Sequence, residues 1–166
     1  MKGTPGENGL DPMRVLVLVD GFETEGLLGS LARLLRLGDA ELVLLYVRHP
    51  GARAGLELGP QRPGGHHLPP HRERELAEAE RTGSSEALAE AEQLAGPLAA
   101  AVRSIRVDGE PGPVVCDLAR TEVADVVALR GTGRGRPPVG PGSLGPTARF
   151  VVDHSPCPVL LLRDGG

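Results

Sequence analysis

The residues best suited to chemistry lie in a glycine-rich loop, 131–145, between a strand-like run and an apolar stretch. The loop is built almost entirely of Gly, Arg and Pro, and Arg134 and Arg136 give it positive charge. Glycines let the backbone approach a ligand closely, and a helix that follows presents N–H groups to an anion. This pattern predicts a phosphate site. A flexible connector is the alternative, because four prolines between residues 137 and 146 lack the N–H groups a phosphate needs.

Other candidate sites in the chain are less well supported. His66, His67 and His71 have no completing Cys or carboxylate for zinc, so a solvated loop is the favoured interpretation. Cys116 and Cys157 lie far apart without metal-type spacing, which predicts packing residues that stay reduced in a cytoplasm. The loop has no lysine, and its G-x-G-x-x-G match starts well after the strand, which disfavours a P-loop and a dinucleotide fingerprint. We predict no catalytic residue and no metal ligand.

Composition limits the classes of function. The chain has 166 residues, 2% aromatic residues and a formal net charge of −4. Its size fits one domain, while the low aromatic content and mild acidity argue against a nucleic-acid binder. No run approaches the length of a membrane span, and the polar first residues lack the apolar centre of a signal peptide. We therefore expect a cytoplasmic protein that binds neither nucleic acid nor membrane.

Runs of apolar residues alternate with segments of helical periodicity along the chain. Predicted strands cover 13–19, 41–47, 102–107, 123–130 and 159–163; predicted helices cover 23–38, 71–98 with a break at 83–85, a segment from 113, and 146–152. This alternation predicts an α/β fold, an open doubly wound five-stranded parallel sheet of order 3-2-1-4-5 with helices on both faces. We expect residues 13–166 to form one domain, preceded by a disordered tail, 1–12, and interrupted by a flexible loop, 49–70.

Several segments, in this order and spacing, resemble the universal stress protein family across 13–163. They are Val19-Asp20-Gly21, Leu44-Leu45-Tyr46-Val47, Val107-Asp-Gly-Glu-Pro111, Ala124-Asp-Val-Val-Ala-Leu-Arg130 with the glycine loop, and His154-Ser-Pro-Cys-Pro-Val159. The resemblance implies a regulatory stress-response protein and a homodimer formed through the last strands.

Members of that family that bind ATP carry G-x2-G-x9-G followed by Ser or Thr. Counting back from His154, the second and third glycines fall on Gly135 and Gly145. The first falls on Thr132, and the Ser or Thr falls on Pro146. Gly131 and Gly133 flank the first position, and Thr147 lies one place beyond the last. A register that uses Gly142-Ser143 restores the final pair but breaks the other spacings. The motif is degenerate.

The resemblance also implies a set of nucleotide-binding residues. ATP, with Mg²⁺, would have its adenosine between Asp20 and Val47. Its phosphates would lie along Gly133, Gly135, Gly145 and Thr147. For Asp20 the alternative is an Asp-Gly turn that caps the following helix.

Two other functions remain open. Pro146 and the acidic residues Glu23 and Glu25 favour a dimeric interaction module that does not bind nucleotide. An ATP pyrophosphatase-type enzyme needs a Ser-Gly-Gly-type loop after the first strand, which Asp20-Gly-Phe-Glu does not supply. We expect at most slow ATP hydrolysis.

Overall fold

The structure, a computed structural model, describes residues 11–49, 69–132, 136–137 and 139–163. The elements of this part of the chain are β1 (Arg14–Leu18), α1 (Thr24–Leu34), β2 (Glu41–Arg48), α2 (Pro70–Ala95), β3 (Ala101–Asp108), α3 (Pro111–Thr121), β4 (Val126–Arg130), α4 (Pro146–His154) and β5 (Val159–Leu162). Most of the predicted tail and loop, residues 1–10 and 50–68, lies outside the described residues, as do His66 and His67.

The sheet confirms the predicted α/β fold. Its five strands have the order β3-β2-β1-β4-β5, and every paired neighbour is parallel. Residues Val15–Val17 of β1 are completely buried, as expected for a strand covered on both faces. None of the helices in the described ranges is long and apolar enough to cross a membrane.

Helices cover both faces of the sheet because successive strand residues point to opposite sides. Val15 and Val17 pack in one cluster with Leu27, Leu28 and Leu31 of α1 and Leu88, Ala91 and Ala95 of α2. Leu16 packs in the other cluster with Val115, Cys116 and Ala119 of α3 and Ala148 and Val151 of α4. Small and aliphatic side chains therefore build both cores, in keeping with the low aromatic content.

The predicted break at 83–85 is wrong, because α2 continues without interruption from Pro70 to Ala95. Ser84 Oγ and Ser85 Oγ each donate to the carbonyl of Arg81 at 2.9 Å. These hydroxyls bond back to the preceding turn of their own helix instead of capping a new one.

The fourth strand begins at Val126 rather than at the predicted Val123. Ala124 N–H donates to Ala119 O at 2.9 Å, and Val123 N–H donates to Arg120 O at 3.3 Å. This pair of bonds is a Schellman motif that ends α3. Val123 occupies its left-handed position with φ 51° and is 74% exposed. Val123, whose apolar side chain suggested a strand, therefore belongs to the turn that ends α3.

Candidate functional site

A cleft of about 300 Å³ opens beyond the carboxyl ends of the strands. It lies where β1 and β4 are neighbours, which is the point at which the winding of the sheet changes direction. Open α/β sheets bind ligands at such switch points. The lining comes from the ends of β1, β2 and β4 and from the starts of α3 and α4: Leu18, Val19, Asp20, Tyr46, Val47, Pro111, Leu129, Arg130, Thr132, Gly145, Pro146, Thr147 and Ala148.

The structure brings together four of the residues predicted for a nucleotide site. Asp20, Val47, Gly145 and Thr147 all line this cleft, although up to 127 positions of sequence separate them. The other two predicted residues, Gly133 and Gly135, lie outside the described residues. Parallel strands place their carboxyl ends at one edge, so residues from distant segments meet there.

Asp20 is exposed and forms the turn that follows β1. Its Oδ1 accepts a hydrogen bond from the Phe22 amide at 3.0 Å, and Gly21 has φ 79°. Helix α1 begins at Thr24, and its N-cap residue, Glu23, makes no side-chain cap. Asp20 therefore stabilises the Asp-Gly turn without capping the helix. A carboxylate has two oxygens, so this turn bond is compatible with acceptance of a bond from a ligand.

The amino end of α4 faces the cleft. Gly145 is its N-cap residue, with no side-chain cap, and the Arg149 N–H closes the first turn on Gly145 O at 3.0 Å. Pro146 at the first helical position has no N–H, whereas Thr147 and Ala148 carry amides that have no acceptor within the helix. The Thr147 hydroxyl adds a third donor. An anion in the cleft would thus meet donors one residue later than in the family motif.

The glycine-rich loop is closed at its base beside the cleft. Thr132 and Leu144 form an antiparallel bridge, and Gly145 N–H donates to Gly131 O at 3.1 Å. Near the end of the loop, Ser143 N–H donates to Gly140 O at 3.1 Å. Pro141 and Gly142, the latter with φ 81°, are the central residues of this turn, as in type II turns. Both ends of the loop are held at the cleft by backbone bonds.

Sequence analysis did not assign several of the lining residues to the site, and Arg130 is the charged residue among them. Arg130 ends β4, its side chain is 20% exposed, and its Nη2 lies 4.0 Å from Glu23 Oε2. Val19 and Tyr46 immediately precede the predicted residues Asp20 and Val47, so adjacency to strand ends was an available signal for them. Pro111, by contrast, reaches the cleft only because α3 starts there.

The thiols do not contribute to this cleft. Cys116 is buried and Cys157 is half-buried, and both are free and pack in the core cluster beneath α3 and α4. Burial raises the pKa of the Cys116 thiol, which makes it a poor nucleophile. Within the described ranges no group of three His, Cys, Asp or Glu side chains could hold a metal ion.

Sheet order, paired helix layers and a cleft at the switch point define an open, doubly wound α/β protein. The profile of the universal stress protein family matches residues 12–163, so the chain belongs to that family. No curated protein matches the chain significantly.

Solved structures with the same fold include universal stress proteins from bacteria, archaea and plants. UspA from Lactobacillus plantarum is 23% identical with a TM-score of 0.68, covering 93% of this chain and 99% of its own. An Arabidopsis thaliana family protein with AMP bound is 17% identical with a TM-score of 0.64, covering 93% and 94%. The universal stress protein from Archaeoglobus fulgidus in complex with dAMP is 18% identical with a TM-score of 0.59, covering 93% and 100%.

Proposed function

We propose that this protein is a cytoplasmic, stress-type regulatory protein that binds an adenine nucleotide in the cleft between β1 and β4. Binding would act as a switch rather than support turnover, because Asp20 is the one carboxylate among the described residues that line the cleft, and in the proposed complex it accepts from the adenosine rather than facing the phosphates. The free thiols of Cys116 and Cys157 suit a reducing compartment.

One observation carries this proposal: an acceptor and a set of donors line a single cleft. The Asp20 carboxylate and Val47 lie at the ends of β1 and β2, while Thr147 lies at the start of α4. A nucleoside needs an acceptor for its hydroxyls and an apolar wall for its base, and its phosphate needs N–H and O–H donors. The described lining of this one cleft includes each of these groups, which supports the proposal.

Family members with bound AMP and dAMP support the same ligand class. AMP makes the smaller demand on the altered motif, since its single phosphate needs only the donors of Thr147 and Ala148. ATP needs further donors, with Mg²⁺ and the glycines of the loop, Gly133 and Gly135, as the expected partners of its outer phosphates. Mg²⁺ would come with the polyphosphate, because the residues that line the cleft offer one carboxylate, Asp20.

Calorimetric titration with AMP, and with ATP in the presence and absence of Mg²⁺, tests the proposal. Thr147→Val preserves the shape of the side chain and removes the hydroxyl, so we expect about tenfold weaker binding. Thr121→Val is the matched control, because the Thr121 hydroxyl donates to Asp117 O at the far end of α3. Asp20→Asn retains an oxygen for the Phe22 turn bond and removes the charge, and it should also weaken binding.

Absence of heat and of a thermal shift at millimolar nucleotide would contradict nucleotide binding. That outcome would favour an interaction module of the same fold, the alternative suggested by Pro146 at the helix start. Equal losses in Thr147→Val and Thr121→Val would place the nucleotide elsewhere.

We further propose a homodimer formed through β5. This strand is the last in the sheet, and its residues Val159, Leu160 and Leu161 are only half-buried in the single chain. An apolar edge strand exposes backbone N–H and C=O groups, and pairing with a second copy would satisfy them. Light scattering after gel filtration should give twice the chain mass of 17.3 kDa. A single-chain mass at high protein concentration would refute the dimer.

A further inference from the structure

A second cleft, of about 260 Å³, lies on the α1 side of the sheet. Three arginines from separate elements line it: Arg33 from the last turn of α1, Arg130 at the end of β4, and Arg163 just after β5. Leu27 and Leu162, both buried, belong to the same wall. The cleft is distinct from the first, but Arg130 lines both.

The charge balance of this cleft favours an anion. Among the described residues that line it, three arginines outnumber one carboxylate, that of Glu23, which is 63% exposed. Arginine remains protonated at every pH of interest, so the lining carries a permanent excess of positive charge. Apolar walls of lower dielectric strengthen the field of these charges within the cleft.

The side chains are already oriented by weak polar contacts. Arg163 Nη1 donates to the hydroxyl of buried Ser143 at 3.2 Å, and Arg33 Nη2 donates to Ser30 Oγ at 3.4 Å. Arg130 Nη2 lies 4.0 Å from Glu23 Oε2. A guanidinium presents its N–H groups as a planar fork that matches the oxygens of a phosphate. Arginines from a helix and two strand ends therefore line one cleft, and each has a polar contact with a neighbouring side chain.

We propose that this second cleft binds inorganic phosphate. The cleft is large enough for a small tetrahedral anion. When no anion is bound, the Glu23 carboxylate, the one negative group among the described residues of the lining, lies 4.0 Å from Arg130 Nη2. Phosphate would displace Glu23 from Arg130, the residue shared with the first cleft. The inference does not depend on nucleotide binding, because only Arg130 belongs to both linings.

Thermal unfolding in sodium phosphate, compared with sodium chloride of equal ionic strength, tests the site. A dissociation constant near 1 mM would raise Tm by about 3–6 °C at ~10 mM phosphate. Arg33→Gln and Arg163→Gln should each remove most of this rise. Arg36→Gln is the matched control, because it makes the same charge change close to Arg33 but outside the lining.

A gain in affinity separates binding from general loss of stability. Glu23→Gln removes the competing charge and should tighten phosphate binding by about two- to fivefold. Thr147→Val reports on the first cleft and should leave the phosphate response unchanged. The proposal is overturned if Arg33→Gln and Arg163→Gln respond as the wild type does, if Arg36→Gln loses as much, or if Thr147→Val abolishes the response.

Discussion

Gly112 of α3 lies directly against Phe150 of α4, and its replacement by alanine should disturb the helix that carries Thr147. A Cβ at Gly112 would lie 2.7 Å from Phe150 Cδ1, 2.8 Å from Cγ and 3.0 Å from Cβ. Rotation of the ring cannot relieve the contacts with Cβ and Cγ, because neither atom moves when the ring turns. The two helices must move apart instead.

The distance by which α3 and α4 must separate determines the cost of Gly112→Ala. Raising the shortest contact from 2.7 Å to an ordinary 3.4 Å needs a shift of about 0.7 Å. Overpacking of this kind costs about 1–3 kcal/mol. Alanine returns less than ~1 kcal/mol of helix propensity, since Gly112 is in the first turn of α3. We expect a net loss of about 1–2 kcal/mol, or a fall in Tm of roughly 3–8 °C.

Urea or thermal denaturation of Gly112→Ala, with and without Phe150→Ala, measures this contact. In the Phe150→Ala background the two nearest atoms are gone, so the cost of Gly112→Ala should fall to about zero. Gly29→Ala is the control: nothing lies within 4 Å of its Cβ position on α1, and alanine there should stabilise by about 0.5–1 kcal/mol. An equal cost in both Phe150 backgrounds would refute the reasoning, as would no cost in the wild type.

Two further predictions concern stability. Val123→Gly should raise the free energy of unfolding by about 1 kcal/mol, because glycine adopts the left-handed conformation without the strain of an exposed β-branched residue. Urea denaturation measures this, and an unchanged midpoint would contradict it. Glu41→Gln should cost about 1 kcal/mol at pH 7, since Nε of Arg103 and of Arg14 each donate to Glu41 at 2.7 Å. The Arg103 and Arg14 bonds lower the pKa of Glu41 from 4.5, so this stability is complete above about pH 4.5 and lost as the pH falls through the lowered value. Denaturation across pH 3–7 should show the difference from wild type shrinking with acidity. Asp117→Asn, in an exposed ion pair with Arg120, is the control and should cost little at pH 7.

The phosphate proposal and the nucleotide proposal meet at Arg130. Arg130 lines both clefts. If phosphate in the second cleft draws the Arg130 guanidinium toward Arg163, the positive charge near the first cleft changes. Two ligands that share one residue are thermodynamically coupled, and each must change the affinity of the other by the same factor. Measurement of AMP affinity at several phosphate concentrations would give the sign of that coupling.

The strands could be predicted from sequence because their signals are local: an unbroken apolar run such as Val15–Val17 is typical of a strand that is buried on both faces. Their order followed from the alternation of strands and helices and from the likeness to the family. The likeness to the family rests on short segments at strand ends, which also carry Asp20 and Val47. Gly145 and Thr147 were found through their spacing from His154.

Only the tertiary structure decided what those residues have as neighbours. Arg33, Arg130 and Arg163 are far apart in sequence, yet they line one cleft. The parallel strands β4 and β5 end at the same edge of the sheet, and α1 runs beside that cleft over most of its length. The apolar Val123 resembles a strand residue, yet hydrogen bonds to the end of α3 place it in a turn. Composition and periodicity report the preference of a segment for helix or strand. Which side chains share a cleft depends on register and crossing, which are set by contacts between segments far apart in the chain.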